Sequence, residues 1–376
     1  MFATRIQRFL YRRIAKPVFF SRDPEEVHDA MTALGAALGS SRGIRSILRS
    51  LLSYASPSLR QTILGIEFPN PVGLSAGFDK DALLVDVLPS VGFGFEEVGS
   101  VTGERCAGNP KPRLWRLPKS KGLVVWYGLK NDGSETVSAR LRGRTFEIPI
   151  GTSVARTNDA TTVETEAGIR DYEKAFRAFA DIGDYATVNV SCPNTCGGEP
   201  FATPERLDAL LSRLDAIATR KPTFLKLPAD ISTDALDALV AVCDRHRVHG
   251  LILSNLTKKR DRATIDPTEI AVTDKGGVSG KPVFDPSNEL ISHLWKTTGR
   301  RYVIVGTGGI FSAEDAYEKI VRGASLVQLI TGMIFEGPQL IGEINRGIAR
   351  LLARDGFATV AEAVGTKNSR KDPAAG

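Results

Sequence analysis

The sequence predicts a (β/α)8 barrel, an α/β fold, preceded by a small N-terminal helical extension. Three observations predict it. From about Ile66 to Leu352, eight short runs rich in β-branched and apolar residues alternate with stretches of helical spacing. Polar residues recur at the ends of those runs, where a barrel collects its chemistry from different strands on one rim. The last two runs close in glycine turns, "GTGG" and "ITG", at the corner where barrels commonly hold a phosphate.

Length and composition fit this class. The chain has 376 residues, enough for one large core and a smaller appendage. Apolar residues at 42% and charged residues at 24% exclude disordered and fibrous classes. Four cysteines, Cys106, Cys192, Cys196 and Cys243, make no dense framework, so the chain reads as intracellular and reduced. No apolar stretch reaches the roughly 18 residues of a membrane span, and the first residues lack the pattern of a secretory signal.

Residues 1–60 form the extension. They carry ten Lys/Arg against four acids, and that surplus of six is the entire formal net charge of +6. A basic segment on a neutral body points to an anionic surface, lipid or nucleic acid. In "DPEEVHDAMTALGAALG", Asp23 is placed as an N-cap, Pro24 at the first helical position and Glu26 as the closing residue of a capping box. Val27, Met31, Leu34 and Leu38 follow at helical spacing. "RGIRSILRSLL" sets Ile44, Ile47, Leu48 and Leu51 on one face and Arg42, Arg45 and Arg49 on the other. Such helices can lie in a membrane interface or pack on the main domain, and spacing alone leaves both open. Aromatic residues are not interleaved with the basic ones as single-strand stacking requires, so nucleic acid is set aside.

Residues 61–355 form the barrel. Its strands are expected in "NPVGLSAG", "FEEVGSV", "FEIPIGTS", "ATVNVS", "TFLKLP", "GLILSN", "YVIVGTGG" and "SLVQLITG". Helices are expected over 204–219, 233–245, 285–297, 312–322 and 337–352, with Ser312 and Asp315 as a helix start. A doubly wound sheet is the alternative, but it needs G-x-G-x-x-G after its first strand and "GLSAGFDKD" lacks it. Residues 356–376, ending in the polar "GTKNSRKDPAAG", are expected to be a disordered tail.

Several strand ends carry residues suited to chemistry. In "GTGGI" and "LITG", glycine lets backbone N–H groups approach a phosphate. Lys226, inside the apolar run "TFLKLP", is costly to bury unless an anion or acceptor meets it, and it could hold electron density on a flavin ring. The alternative is a lysine reaching solvent from a strand end. Lys80, in "GFDKDA", could instead pair with Asp79 and Asp81 on a surface loop. Cys192 follows the strand "ATVNVS"; a polar, partly cationic pocket lowers a thiol's pKa and makes the thiolate a nucleophile or general base. Asn189 and Asn194 present donors and acceptors to the edge of a planar ring. Cys192 could also be an inert buried thiol, or a metal ligand with Cys196. None of the four histidines, His28, His246, His249 and His293, sits at a strand end with these cysteines, which sets zinc aside.

Taken together, "FFSRDPEEVHDAM", "NPVGLSAGFDKD", "GFGFEEVGSVT", "GNPKPRLWRL", "NVSCPNT", "LKLPAD", "GGVSGKP", "VGTGGI" and "GASLVQLITG" resemble the dihydroorotate dehydrogenase family, in particular its membrane-associated, quinone-using class. The resemblance runs from Tyr11 to Leu352. It implies an FMN-binding barrel with an N-terminal pair of helices forming a quinone tunnel at the membrane surface, hence a peripheral membrane protein on the cytoplasmic side or one associated with an inner membrane. It carries FMN contacts to Ala76, Gly77, Lys80, Ser100, Asn189, Lys226, Ser254, Gly280, Gly308 and Thr331. It carries contacts to the small-molecule ring substrate to Lys80, Asn189, Asn194 and Asn255, and the catalytic base to Cys192. In the implied reaction that base takes a proton from one ring carbon while the adjacent carbon delivers hydride to the flavin, which a quinone reoxidises.

The chain departs from the family pattern at identifiable places. The membrane class usually has serine as its base, and cysteine is the habit of the soluble classes. The motif N-R-x-G-F-N reads "VWYGLKN", so Val125 stands for an asparagine that touches the pyrimidine and Trp126 for the arginine. An FMN-holding asparagine of the third strand falls on Pro149, and a tyrosine near the phosphate corner becomes Ile330. A ring group left unpaired by Val125 costs about 1–3 kcal/mol, roughly one to two decades of affinity. Two further readings follow: a family dehydrogenase or ene-type reductase retuned to a less polar ring, or an inactive membrane-bound barrel.

Overall fold

The computed structural model describes residues 2–369. Eight parallel strands, Val72–Leu74, Phe95–Val101, Ile150–Val154, Tyr185–Asn189, Thr223–Lys226, Gly250–Leu253, Val303–Thr307 and Leu326–Leu329, close into a barrel in sequence order. The ring is sealed where the eighth strand pairs with the first, Val327 with Val72 and Leu329 with Leu74. All eight expected runs are barrel strands.

The barrel interior is layered. At its lower end Phe95, Tyr185, Phe224, Ile252, Val305 and Leu326 pack with Phe68 from a preceding hairpin. Glycine on one strand makes room for the ring of the next. A Cβ added at Gly73 would stand 2.3 Å from the Phe95 ring, and one at Gly151 would stand 2.1 Å from the Tyr185 ring. A second layer is polar: the Glu97 carboxylate accepts hydrogen bonds from Thr187 Oγ1 at 3.1 Å and Gln328 Nε2 at 3.0 Å. The strand ends beyond this layer form the floor of a cavity.

The expected helices are present at Pro204–Asp215, Thr233–Cys243, Phe284–Thr298, Ala313–Val321 and Leu340–Asp355. Ser312 Oγ accepts from the Asp315 N–H at 3.1 Å, the expected cap. Thr165–Ala178, which the spacing analysis did not single out, is also helical and buries Ile169, Tyr172 and Phe176 against the barrel. A three-stranded antiparallel sheet, Leu114–Leu117, Gly122–Val125 and Gly277–Gly280, was likewise not anticipated. Its residues Leu114, Leu123, Val125, Ser279 and Gly280 wall the cavity.

The extension is three helical segments. A helix runs from Phe2 to Leu10, continues through a π turn at Tyr11–Ala15, and ends as Lys16–Phe20. Pro24–Gly39 begins at Asp23, whose Oδ1 accepts from the N–H groups of Glu25 and Glu26 at 2.9 and 3.0 Å. Arg42–Leu52 follows. Arg45 and Arg49 both engage Glu147 of the barrel, while Ile47 is 60% exposed and Leu51 is 51% exposed. Arg45 is thus turned toward the barrel, Arg42 and Arg49 stay exposed, Leu48 packs on the core, and Ile44, Ile47 and Leu51 face outward, an apolar exposure that ordinary packing avoids.

Residues expected to form a disordered tail are in part ordered. Val360–Ala363 and Thr366–Ser369 are helical, and Val360 and Ala363 are fully buried. The apolar members of "FATVAEAV" pack on the barrel's outer helices, a burial that the polar residues beyond them masked. Residues 370–376 lie outside the described residues.

Candidate active site

One cavity of about 1230 Å³, counting its open mouth, lies at the C-terminal ends of the strands. The structure brings every residue expected to bind cofactor or substrate or to act as base to its wall: Ala76, Gly77, Lys80, Ser100, Asn189, Cys192, Asn194, Lys226, Ser254, Asn255, Gly280, Gly308 and Thr331. They come from seven barrel strands or the loops after them, all but the third, and from the mouth sheet.

The floor is a hydrogen-bonded polar set. Asn189 Nδ2 donates to Ser100 Oγ at 2.9 Å, and Ser100 Oγ lies 2.7 Å from Ser153 Oγ. Asn189 Oδ1 accepts from Ser191 N and Oγ at 3.1 and 2.8 Å, which fixes the orientation of the amide. Lys226 is buried and donates to Ser75 Oγ at 3.2 Å. Burial lowers its pKa, opposed by the charges of Glu97 below and Cys192 above. Lys226 is thus no solvent-reaching lysine.

The walls supply the amide groups. Asn194 Nδ2 donates to the Val125 carbonyl at 2.8 Å, and Asn109 Nδ2 donates to the Asn194 carbonyl at 2.9 Å. Asn255 Nδ2 donates to Ser191 O at 2.9 Å. On the opposite side the Lys80 ammonium sits 4.1 Å from the centroid of the Tyr127 ring, a cation–π contact. The neighbouring acids are otherwise engaged: Asp79 accepts from Leu83 N and Leu84 N at 2.8 and 2.6 Å, and Asp81 accepts from Asp132 N at 2.8 Å. Burial, reinforced by the charge of Lys130, lowers the Lys80 pKa to about 8.

Three expectations are corrected. The Cys192 thiol is not acidified; burial pushes it up to about 11, and the hydrogen bond from the Asn194 backbone N–H, with the charges of Lys226 and Arg156, only partly offsets this and the adverse charge of Glu199. Pro149 is at the wrong end of the third strand: its carbonyl accepts from Glu96 N at 3.0 Å beside the start of that strand, away from the cavity. Ser153 is the residue of that strand that reaches Ser100. Trp126 does not share a wall with Val125. It lines a separate polar hollow with Asn158 and Lys258, where the Lys275 ammonium lies 4.5 Å from its ring. Of the pair, Val125 lines the cavity and Trp126 does not.

Residues that the sequence analysis did not assign also line the cavity: Ser75, Tyr127, Lys130, Ser279 and Thr307. Tyr127 and Lys130 lie within "VWYGLKN"; Tyr127 takes the open position of the motif N-R-x-G-F-N, while Leu129 and Lys130 depart from it beyond the two residues noted. Ser279 Oγ pairs with Thr331 Oγ1 at 2.9 Å, joining the mouth sheet to the eighth strand's end.

The lining fits a flavin mononucleotide. Ser254 Oγ is buried with no hydrogen-bond partner among the described residues, a polar atom left for a ligand. Gly308 has φ +99° at the end of the seventh strand, a conformation that suits glycine and that opens its backbone to an anion. Ile330 lines this corner and sets apolar surface beside Gly77.

A closed parallel barrel with a buried lysine, paired carboxamides and a thiol at its C-terminal rim defines a (β/α)8-barrel oxidoreductase. The chain belongs to the dihydroorotate dehydrogenase family, whose family model, described as dihydroorotate dehydrogenase, matches residues 58–352. It is 40% identical over 355 residues to a dihydroorotate dehydrogenase (quinone) of Gloeobacter violaceus, covering 94% of this chain and 98% of the relative. It is 39% identical over 354 residues to one of Natronomonas pharaonis, with the same coverage. Among solved structures, the Eimeria tenella enzyme in complex with ferulenol superposes with a TM-score of 0.81 at 27% identity, over 92% of this chain and 96% of the other. These relatives agree with the quinone-using class that the motifs resemble.

Proposed function

We propose that this protein oxidises dihydroorotate to orotate in pyrimidine biosynthesis, with FMN as its redox cofactor and a quinone as final acceptor. The observation that carries the reading is the convergence of thirteen residues, from strands far apart in sequence, on one cavity. Gly280, Gly308 and Thr331 hold the phosphate, and Ala76, Gly77, Lys80, Ser100, Asn189, Lys226 and Ser254 hold the ring system. Bound there, FMN supplies the two-electron acceptor. Lys80, Asn189, Asn194 and Asn255 orient the substrate ring, and Cys192 Sγ, as thiolate, removes a proton from one ring carbon.

The apolar side of the cavity leads toward the extension. Ile334 lines the cavity, and its carbonyl accepts from Tyr11 OH at 2.6 Å. Leu114 and Leu123 belong to the cluster that contains Phe20. This is the route proposed for quinone, with the extension resting on the cytoplasmic face of a membrane. No helix among the described residues is long and apolar enough to cross one. The reading as an enzyme for a less polar ring loses one of its two supports, since Trp126 lies outside the cavity; the inactive-barrel reading loses Pro149.

The test is anaerobic reduction. The purified protein should be yellow, and about 1 mM dihydroorotate should bleach its flavin spectrum. A flavin-loaded protein that dihydroorotate leaves oxidised overturns the proposal.

A further inference from the structure

Cys192 borders two cavities. The second is small and is lined by Cys192 together with Arg156, Tyr172, Thr195 and Phe201. Arg156, just past the end of the third strand, is only 3% exposed. Its guanidinium donates to Thr162 Oγ1 at 2.7 Å, Thr195 Oγ1 at 3.2 Å, and the carbonyls of Cys196 and Asp159 at 2.5 and 3.4 Å. Every one of these acceptors is neutral. Among the described residues no carboxylate forms an ion pair with it; the Asp159 carboxylate feels its charge but is at the surface, where it caps Thr161. The other deeply buried arginine at this rim, Arg113, is paired through two nitrogens with Glu25 at 2.9 and 2.8 Å.

A buried cation without a counter-charge is unfavourable unless an anion forms beside it. We propose that Arg156 is a positioning residue whose counter-charge is the Cys192 thiolate. It is held rigid by the loop that carries the sulfur and stabilises that sulfur's deprotonated form. The inference rests on the reading of Cys192 as the base. Four charged or titratable groups face the sulfur: Lys226 from the fifth strand, Arg156, Glu199 from the loop after the fourth strand, and Tyr172 from the helix Thr165–Ala178. Lys226 is bound to Ser75 Oγ, and Tyr172 OH donates to the Asn189 carbonyl at 2.8 Å. Glu199 opposes the thiolate. Arg156 is the cation that shares the small cavity with the sulfur and lacks an acidic partner of its own.

The test is the pH profile of Cys192 alkylation by iodoacetamide in the flavin-loaded enzyme. A Cys196→Ser background removes the exposed thiol; Cys106 and Cys243 are buried. Arg156→Gln should slow alkylation at pH 8 about tenfold, a shift of about one pH unit. Arg156→Lys, which keeps the charge and loses the fork, should stay within about twofold of the parent. An unmoved profile in Arg156→Gln overturns the proposal, as does a lysine variant as slow as the glutamine one. If Arg156→Gln does not fold, Arg156→Lys carries the test alone: a tenfold loss overturns it. Bleaching by dihydroorotate with an unmoved profile sinks this inference only, whereas a moved profile without bleaching sinks only the substrate assignment.

Discussion

At the scale of residues, Cys192 acts against its resting ionisation. Burial holds its pKa near 11, so at neutral pH the sulfur carries its proton. The reactive fraction therefore grows about tenfold per pH unit below that value, and flavin reduction by dihydroorotate should rise steadily from pH 6 to pH 9. A flat profile in stopped-flow reduction would contradict a thiolate base. Cys192→Ala should keep its flavin and reduce it about 10²–10⁴-fold more slowly, the usual worth of a positioned base. Cys192→Ser, the residue usual in the membrane class, should recover part of that loss. Reduction at the parent rate in the alanine variant refutes the role. The strand-end positions of Cys192, Asn189 and Lys226 were legible because a barrel's polarity fixes which end of a run faces the site. The pKa was not, because desolvation depends on what packs around the sulfur from distant strands. Pro149 was misplaced for a related reason: a run such as "FEIPIGTS" does not declare where its strand begins, and Ser153 lies four residues further on.

At the scale of elements, the helix Pro24–Gly39 shows what spacing reveals and what it hides. Asp23 and Pro24 were legible because a cap is local chemistry. Glu25 was not, because its partner Arg113 lies 88 residues away in sequence. The helix Phe2–Leu10 and its continuation had a signal in Ile6, Phe9, Leu10, Ile14 and Val18 at helical spacing, hidden behind the charge count. Glu25 ties the extension to the loop beside the cavity mouth, with Lys111 and Lys130 close to the same carboxylate. Burial would raise its pKa, but the hydrogen bonds and charge of Arg113, with those two lysines, outweigh that and bring it down to about 2. A carboxyl depressed in the folded state stabilises above its unfolded pKa and loses that contribution as pH falls through its folded value. The extension should therefore loosen between about pH 4.5 and pH 2, read as protease sensitivity of residues 24–52. Glu25→Ala should cost about 3–5 kcal/mol in urea unfolding at pH 7, since Arg113 is left buried and unpaired. Equal stability of variant and parent would show the pair to be dispensable.

At the scale of the whole molecule, barrel and extension face different surroundings. The barrel was readable because alternation of strands and helices is a repeated signal, and an error in one run does not change the closure. The mouth sheet was not, because its strands are short and one of them, Gly277–Gly280, arrives about 150 residues after the others. The outward apolar face of the extension is a property of assembly: spacing shows that a helix has two faces, and only packing shows which one the barrel covers. Here Glu147 anchors Arg45 and Arg49 of the helix Arg42–Leu52 and leaves its Ile47 at 60% exposure; on the first helical segment Phe9 at 61% and Ile14 at 58% are exposed as well. Burying one such side chain is worth about 1.5–3 kcal/mol, so three together account for a membrane partition of about a thousandfold or more. The triple variant Phe9→Asp, Ile14→Asp, Ile47→Asp changes only side chains that are more than half exposed and should fold normally. It should lose at least about a hundredfold in co-sedimentation with anionic phosphatidylglycerol vesicles and lose turnover with a membrane-dissolved quinone. It should still reduce its flavin with dihydroorotate at the parent rate, because the cavity and its acid–base groups are untouched. Co-sedimentation equal to the parent's would show that this face is not the membrane contact, whatever the chemistry of the barrel.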